Sequence, residues 1–482
     1  LYNNANLVEQ TNCSTKYPEI KPKYPIGAWG NMKHEYAWQW HELKEQLLEI
    51  PNVPERQKQL LEKHTLAMLE LPKMDHRVHD FKERVNALID EASPVLKLNP
   101  LNNHPSVLQF RKYVTKTAIL KWEQTKPKVF DSMDTAIVDE EVKNLKKHIC
   151  DHMHMEYDII ERVDMSPSKQ RVYLCKSLIR CISDTLVLEL GKHLNHLRTC
   201  HYDEDVIVRA LWSRHGIERK KRLYTYDLDK PKFITVEDQP IISEGLFDGM
   251  VRSHLPLPEF QSGLSKDIVD CESSQFKYKP SAFGEDKPGH SLLKSISAGH
   301  RFGDPCEYGL IGFLSTCNTH ETEKIYGSRV ARDCRLSMGL TNTFTWLTAQ
   351  ACNQGFSHVI DLTYPLTSQT IMTDGEKFSF LAYQLNTLEL WKDDIGNNKV
   401  NLCWCTDEMS LYHSIEHGKV RELNDDVLTL LVKMFMLPPT PRAHDMKPTI
   451  SKPDISLHLK NNFVPERVII PEVIVEEQYI VS

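Results

Sequence analysis

The sequence predicts an α+β fold. Its amino-terminal half reads as mainly helical, its carboxy-terminal half as a mixed sheet with a hairpin and packed helices, and its termini as extended. Three observations lead there. Leu174, Leu178, Ile179, Ile182, Leu186 and Leu190 recur at helical spacing and end near Gly191. Thr370-Ile371-Met372-Thr373 runs into Asp374-Gly375 and a return strand over 378–387, the pattern of a tight hairpin. Asn424 precedes Asp425, Asp426 and the stripe Val427, Leu430, Leu431 and Met434, so it reads as the cap of a further helix.

The chain divides into four regions on these patterns. Residues 1–40 read as an extended arm, because Pro18, Pro22 and Pro25 oppose helix while Lys16, Lys21, Lys23 and Lys33 alternate with Tyr17, Tyr24, Trp29 and Trp38. Residues 41–205 read as mainly helical. Leu61, His64, Met68 and Leu71 form a stripe closed by Pro72, and Val85, Leu88 and Ile89 form a shorter one. Residues 206–437 read as an α+β core. It contains the β-rich run Phe233-Ile234-Thr235-Val236 and a stretch of little periodicity between 256 and 305, read as a surface wrap. Within the core, Phe344, Leu347, Thr348 and Ala351 share a helix face. Phe378, Phe380 and Ala382 alternate with Leu381, Tyr383 and Leu385, so both faces of that strand are apolar and it belongs at the centre of its sheet. Val400-Asn401-Leu402-Cys403-Trp404-Cys405 is a further strand. Residues 438–482 read as an irregular extension, stopped at its start by Pro438 and Pro439 and containing the run Val468-Ile469-Ile470.

Composition bounds the function. A chain of 482 residues exceeds what one core usually serves, so more than one packed region is expected. Hydrophobic residues at 40% and charged residues at 26% are globular values and exclude disorder throughout. A formal charge of −7 argues against a small basic protein that coats nucleic acid over its whole surface. No run approaches about 18 apolar residues, so no membrane span is read. Twelve cysteines without regular spacing fit reduced thiols in a cytosol-like or matrix-like compartment. The sequence starts at Leu1, and removal of an initiator and a targeting segment is the expectation.

Catalytic signals are sparse. The cluster His148, Cys150, Asp151, His152 and His154 has donors of the right type for a metal, with Cys175, Cys181, Cys200 and His201 further on, but no clear second half-site. Cys403 and Cys405 lie two apart on one strand face, unlike the spacing of disulfide oxidoreductases. There is no phosphate-binding glycine loop and no nucleophile elbow. Turn and capping roles account for Asp374-Gly375 and Asp425-Asp426. No catalytic residue, metal ligand or cofactor is assigned, and no small-molecule substrate or membrane partner is expected.

Two basic segments stand out against the acidic total. Arg111, Lys112, Lys116, Lys121, Lys126 and Lys128 accompany Tyr113 and Trp122, offset only by Glu123. Arg209, Arg214, Arg219, Lys220, Lys221 and Arg222 accompany Trp212, Tyr224 and Tyr226, offset only by Glu218. Each is a local +5. Cations that neutralise phosphates, beside aromatics that stack on unpaired bases, are the ingredients of RNA contact. Arg111, Lys112, Lys116, Lys121, Arg214, Arg219, Lys220, Lys221 and Arg222 are the expected contacts; solvated faces are the plainer reading of the same runs.

The last third carries a resemblance. Asp304-Pro305-Cys306 with Tyr308-Gly309, Phe344 and Trp346 with Ala349-Gln350-Ala351 and Gln354-Gly355-Phe356, and Ser368-Gln369 through Thr373-Asp374-Gly375, Phe378-Ser379-Phe380 and Tyr383-Gln384-Leu385-Asn386-Thr387 form one set. Trp404 and Asn424-Asp425-Asp426-Val427-Leu428 complete it, with fainter matches at Tyr17-Pro18 and Thr115-Lys116-Thr117. The set resembles the programmed-cell-death-protein-nine family of mitochondrial ribosomal proteins, first numbered as small-subunit protein thirty and now counted as large-subunit protein sixty-five. A related large-subunit protein, number thirty-seven, shares the hairpin motif. The resemblance implies a non-catalytic constituent of the mitochondrial large ribosomal subunit in the matrix. It implies a peripheral position beside protein thirty-seven and the large-subunit rRNA, and a role supporting mitochondrial translation. A Cys/His metal-dependent enzyme centred on 148–201 and a free-standing RNA-binding adaptor are the competing readings.

Overall fold

The computed structural model describes residues 95–446 except 164, 215–218, 223–232, 237–238, 262–281, 288–295, 302, 358–359, 391–398, 417–418 and 444–445, together with positions 55 and 58. The arm at 1–40, the stripes at 61–72 and 85–89 and the run at 468–470 lie outside the described residues. From residue 95 onward the described residues belong to one compact unit, which spans 85–223 and 232–482.

β1 (Val95–Leu98) precedes α1 (Val107–Thr115), and β2 (Thr117–Lys121) follows directly. The long helices α2 (Thr135–Arg162) and α3 (Pro167–Leu190) come next. They lead to β3 (His201–Arg214), β4 (Arg219–Arg222), β5 (Phe233–Val236), β6 (Gln239–Ser253), β7 (Gly284–Lys287) and β8 (Tyr308–Ser315). α4 (His320–Tyr326) and α5 (Ser328–Asn353) separate these from β9 (Leu366–Thr373) and β10 (Lys377–Leu385). β11 (Asn401–Cys405), β12 (Met409–Ser410), β13 (Tyr412–Glu416) and β14 (Lys419–Leu423) precede α6 (Asp425–Met436).

The fold is α+β, as the sequence predicts. Among the described residues, ten strands form one mixed sheet in the order β2-β11-β10-β9-β8-β6-β1-β7, with β3 added to β6 and β12 to β10. The pairs β2–β11, β8–β9 and β1–β6 are parallel. β3 follows one edge of β6 from end to end, so β1 and β8 share the opposite edge at different positions along it. Two-stranded sheets β13–β14 and β4–β5 stand apart.

β10 shows why the sheet is central. Phe378, Phe380 and Ala382 enter a core built with residues of α2, α3 and α6. Leu381, Tyr383 and Leu385 enter a second core with α1 and α5 on the other face. The period-2 alternation therefore feeds two hydrophobic layers, each buried aromatic or aliphatic side chain contributing roughly 1.5–3 kcal/mol. α5 is buried on nearly every side from Leu340 to Ala351, wider than the single face its pattern shows. Three of its threonines are satisfied by the helix itself. Thr341, Thr343 and Thr345 each donate to the carbonyl four residues back, at 2.7, 2.8 and 2.7 Å.

Several elements differ from the sequence reading. The 41–205 region contributes β1, β2 and the start of β3 to the sheet, so the sheet crosses the 205/206 boundary. The helix before β2 ends because Lys116 is left-handed, with φ 48°, and its N–H closes on the carbonyls of Lys112 and Tyr113. The hairpin turn is longer than Asp374-Gly375 alone. Only Gly375 takes a positive φ, 95°, while the Asp374 carboxylate accepts from the N–H groups of Glu376 and Lys377 at 3.0 and 2.7 Å. The 256–305 wrap sends Leu257, Phe260, Phe283 and Ala298 into the cores. Among the described residues no helix is long and apolar enough to cross a membrane.

Candidate nucleic-acid interface

α1 sorts the first basic segment by periodicity. Val107, Phe110, Arg111 and Val114 face inward together, because 107, 111 and 114 share one helix side. Arg111 is 2% exposed, and its guanidinium donates to the Asn99 carbonyl. Burial lowers its pKa to about 10. Arg111 is therefore an interior residue, and its expected place at a phosphate is corrected. Lys112 is half-buried, Lys116 caps the helix, and Lys121 stands exposed at the end of β2. Lys126 and Lys128 are exposed beyond it, with Lys126 paired to Asp131. The aromatics turn inward. Trp122 packs on Phe130 at 4.9 Å, and Tyr113 lies under Arg214, so neither offers a ring to a base.

The second segment meets the first through its buried members. Arg214 is 2% exposed and donates to the carbonyls of Tyr113 and Leu390 at 2.9 and 2.7 Å. Its guanidinium sits 4.3 Å from the Tyr113 ring centroid. Trp212 donates to the Val114 carbonyl at 2.9 Å. These residues pin β3 to α1, and Arg214 too is corrected from surface contact to structural staple. Arg209 pairs with Glu244 at 2.8 Å. Arg219, Lys220, Lys221 and Arg222 form β4, paired antiparallel with β5.

The motifs of the last third hold one another. The Asp304 carboxylate accepts from the Cys306 N–H at 2.9 Å and from Arg252 at 2.8 Å. Arg252, 2% exposed, also reaches Asp203 and the Cys306 carbonyl. A Cβ on Gly309 would stand 2.2 Å from the Trp346 ring, so this strand can approach α5 only as glycine. The Tyr383 hydroxyl bonds Thr117 at 2.6 Å, and Thr117 bonds Thr115 at 2.7 Å. Asn401 ties the same corner by donating to the Thr115 carbonyl at 2.9 Å and accepting from the N–H groups of Asn386 and Thr387. Gln384 accepts from the Phe260 and Gln261 N–H groups at 2.9 and 3.0 Å, and so straps the 256–261 segment to β10.

A family model described as mitochondrial 28S ribosomal protein S30 (PDCD9) matches residues 5–439. The chain belongs to this family. It is accordingly a mitochondrial ribosomal protein. The family motifs quoted above supply clamps, straps and close packings, and each polar group just described is engaged by the fold itself.

The candidate chemistry is dispersed on the structure. His148 is exposed on α2, Cys150 is partly buried, and His152 bonds Ser177 at 3.0 Å. Among the described residues, no group of three or more His, Cys, Asp and Glu could hold a metal ion. Cys403 is buried and Cys405 half-buried on the same face of β11, and burial raises both thiols, Cys405 to about 11. A shallow cleft of about 240 Å³ lies beside Glu259, Tyr364, Gln384 and Lys399.

The residues that sequence reasoning missed are the buried arginines Arg252 and Arg335. Arg335 is held by Glu408 at 2.6 Å and by Glu323 at 3.2 Å. Arg252 had only a faint signal, a cation directly after the apolar pair Met250-Val251. Arg335 had none, because its neighbours Asp333 and Arg332 read as a solvated helix face.

Proposed function

We propose that the chain is a non-catalytic structural constituent of the large subunit of the mitochondrial ribosome, working in the matrix. Its neighbours are large-subunit proteins, the related protein thirty-seven among them, and the large-subunit rRNA. The observation that carries this reading is the family match over 5–439, together with motif residues that serve internal packing. The family description bears a small-subunit name. The resemblance stated above, to a family now counted as large-subunit protein sixty-five, favours the large subunit.

The rRNA contacts are assigned to Lys112, Lys116 and Lys121, on α1 and β2 at the sheet edge, and to the strand from Arg219 to Arg222. A protein that neutralises a few phosphates loses affinity steeply with salt, roughly one counterion released per phosphate. Changing Lys112, Lys116 and Lys121 to Glu is expected to leave the folded protein intact. It is expected to lower the salt concentration at which the protein leaves the ribosome. Equal retention of variant and parent across a salt series would remove these lysines from the interface.

A further inference from the structure

The amino-terminal part of α3, the end of β8 and the β9–β10 turn converge on two thiols. Cys175 lies on α3 and is fully buried. Cys317 opens the 3₁₀ turn Cys317–Thr319 just after β8 and is only partly buried. The Cys175 thiol sits 3.5 Å from the Thr373 carbonyl and 3.5 Å from the Ser315 hydroxyl. The Cys317 thiol sits 3.5 Å from the Asp374 carbonyl and 3.7 Å from that of Arg171, one helical turn before Cys175. The two sulfurs are thus held against the same turn of α3 and the same end of β9, and each shifts the titration of the other. Gly375 completes the enclosure. A Cβ there would meet the Cys175 Cα at 3.5 Å, so the turn lies directly on α3.

The pair is also electronically unequal. Interaction with Cys175, and then with Ser315, lowers the Cys317 pKa against burial and the carboxylates of Asp374 and Asp248. Cys175 keeps its proton, because its interaction with Cys317 and its burial both push its thiol up. Cys317 is also the more accessible sulfur, so it is the one a peroxide reaches first, with Cys175 buried behind it.

We propose that Cys175 and Cys317 form a peroxide-responsive dithiol that closes to a disulfide and locks α3 onto the end of the central sheet. The Cys317 thiolate attacks one oxygen of hydrogen peroxide, the O–O bond breaks, and the leaving hydroxide departs as water after protonation. This leaves a sulfenic acid on Cys317. Cys175 attacks that sulfur, its thiol proton goes to the departing oxygen, and a second water leaves as the S–S bond forms. Two thiols lose two electrons in all, and one hydrogen peroxide becomes two waters. Reduction by a dithiol reverses the step.

The test uses the full-length purified protein, reduced and then treated with hydrogen peroxide under native conditions. Peptide mapping without reductant is expected to show the Cys175–Cys317 crosslink, reversed by dithiothreitol. The oxidised parent is expected to melt several degrees above its reduced form, and Cys317→Ser is expected to lose that rise. In Cys175→Ser, Cys317 is expected to accumulate as a sulfenic acid trapped by dimedone. Two reduced thiols after peroxide treatment, a crosslink between other cysteines, or dimedone labelling of Cys175 ahead of Cys317 would overturn the proposal. Circular dichroism of both serine variants keeps a folding defect separate from a negative result.

Discussion

Arg252 illustrates how a single side chain organises a family motif. Its guanidinium joins β6 to Asp203 of β3 and to Asp304 of the Asp-Pro-Cys loop, with the Cys306 carbonyl as a further acceptor. Removing one partner of a buried pair leaves the other desolvated and typically costs about 3–5 kcal/mol. Asp203 is about one-third exposed, so Arg252→Met is expected near the low end, about 3 kcal/mol, as a lowered urea midpoint. An unchanged midpoint would mean the clamp carries no stability. The clamp also sets an acid response. Burial opposes the Asp304 carboxylate, but the Cys306 N–H and Arg252 outweigh it and hold its pKa below the ordinary value. Lys377 and Arg335 do the same for Glu323 against burial. A lowered folded pKa gives stability that is present above the unfolded value, about 4, and lost as pH falls through the folded one. Stability is therefore expected to drop as pH falls below about 4, and to drop less in Arg252→Met.

At the scale of elements, α6 offers a clean test because its start was legible. The Asn424 side chain accepts from the Asp426 N–H at 3.0 Å, and Asp425 and Asp426 lie at the positive end of the helix. Asn424→Ala is expected to cost about 1 kcal/mol, read as a shift in denaturation midpoint. β10 was equally legible, since its alternation puts apolar groups on both faces and only a central strand buries both. β2 was not. Thr117-Ala118-Ile119-Leu120-Lys121 is too short to show a period, and its strand identity comes from pairing with β11, 284 residues away (Asn401 opposite Thr117). The hairpin was recognised, but its turn length was set by the Asp374 carboxylate closing two N–H groups, a side-chain effect that the Asp-Gly pair alone does not specify. Charge marked the segments, but only helix phase separates inward Arg111 from Lys112, and only tertiary packing draws Arg214 under α1.

On the scale of the whole molecule, the formal charge of −7 and the two +5 segments describe different surfaces. Arg111 and Arg214 are withdrawn into the interior and Lys126 is paired, so the outward positive field is smaller than the sequence count. A ribosomal constituent with this surface is expected to be held mostly by protein neighbours, with RNA reached at a few lysines. Sedimentation of a mitochondrial matrix extract through a gradient that separates the two subunits tests this most directly, with the chain followed by immunoblot. The account predicts co-migration with the large-subunit peak. Recovery in the small-subunit peak, or in a light pool free of ribosomes, would contradict it.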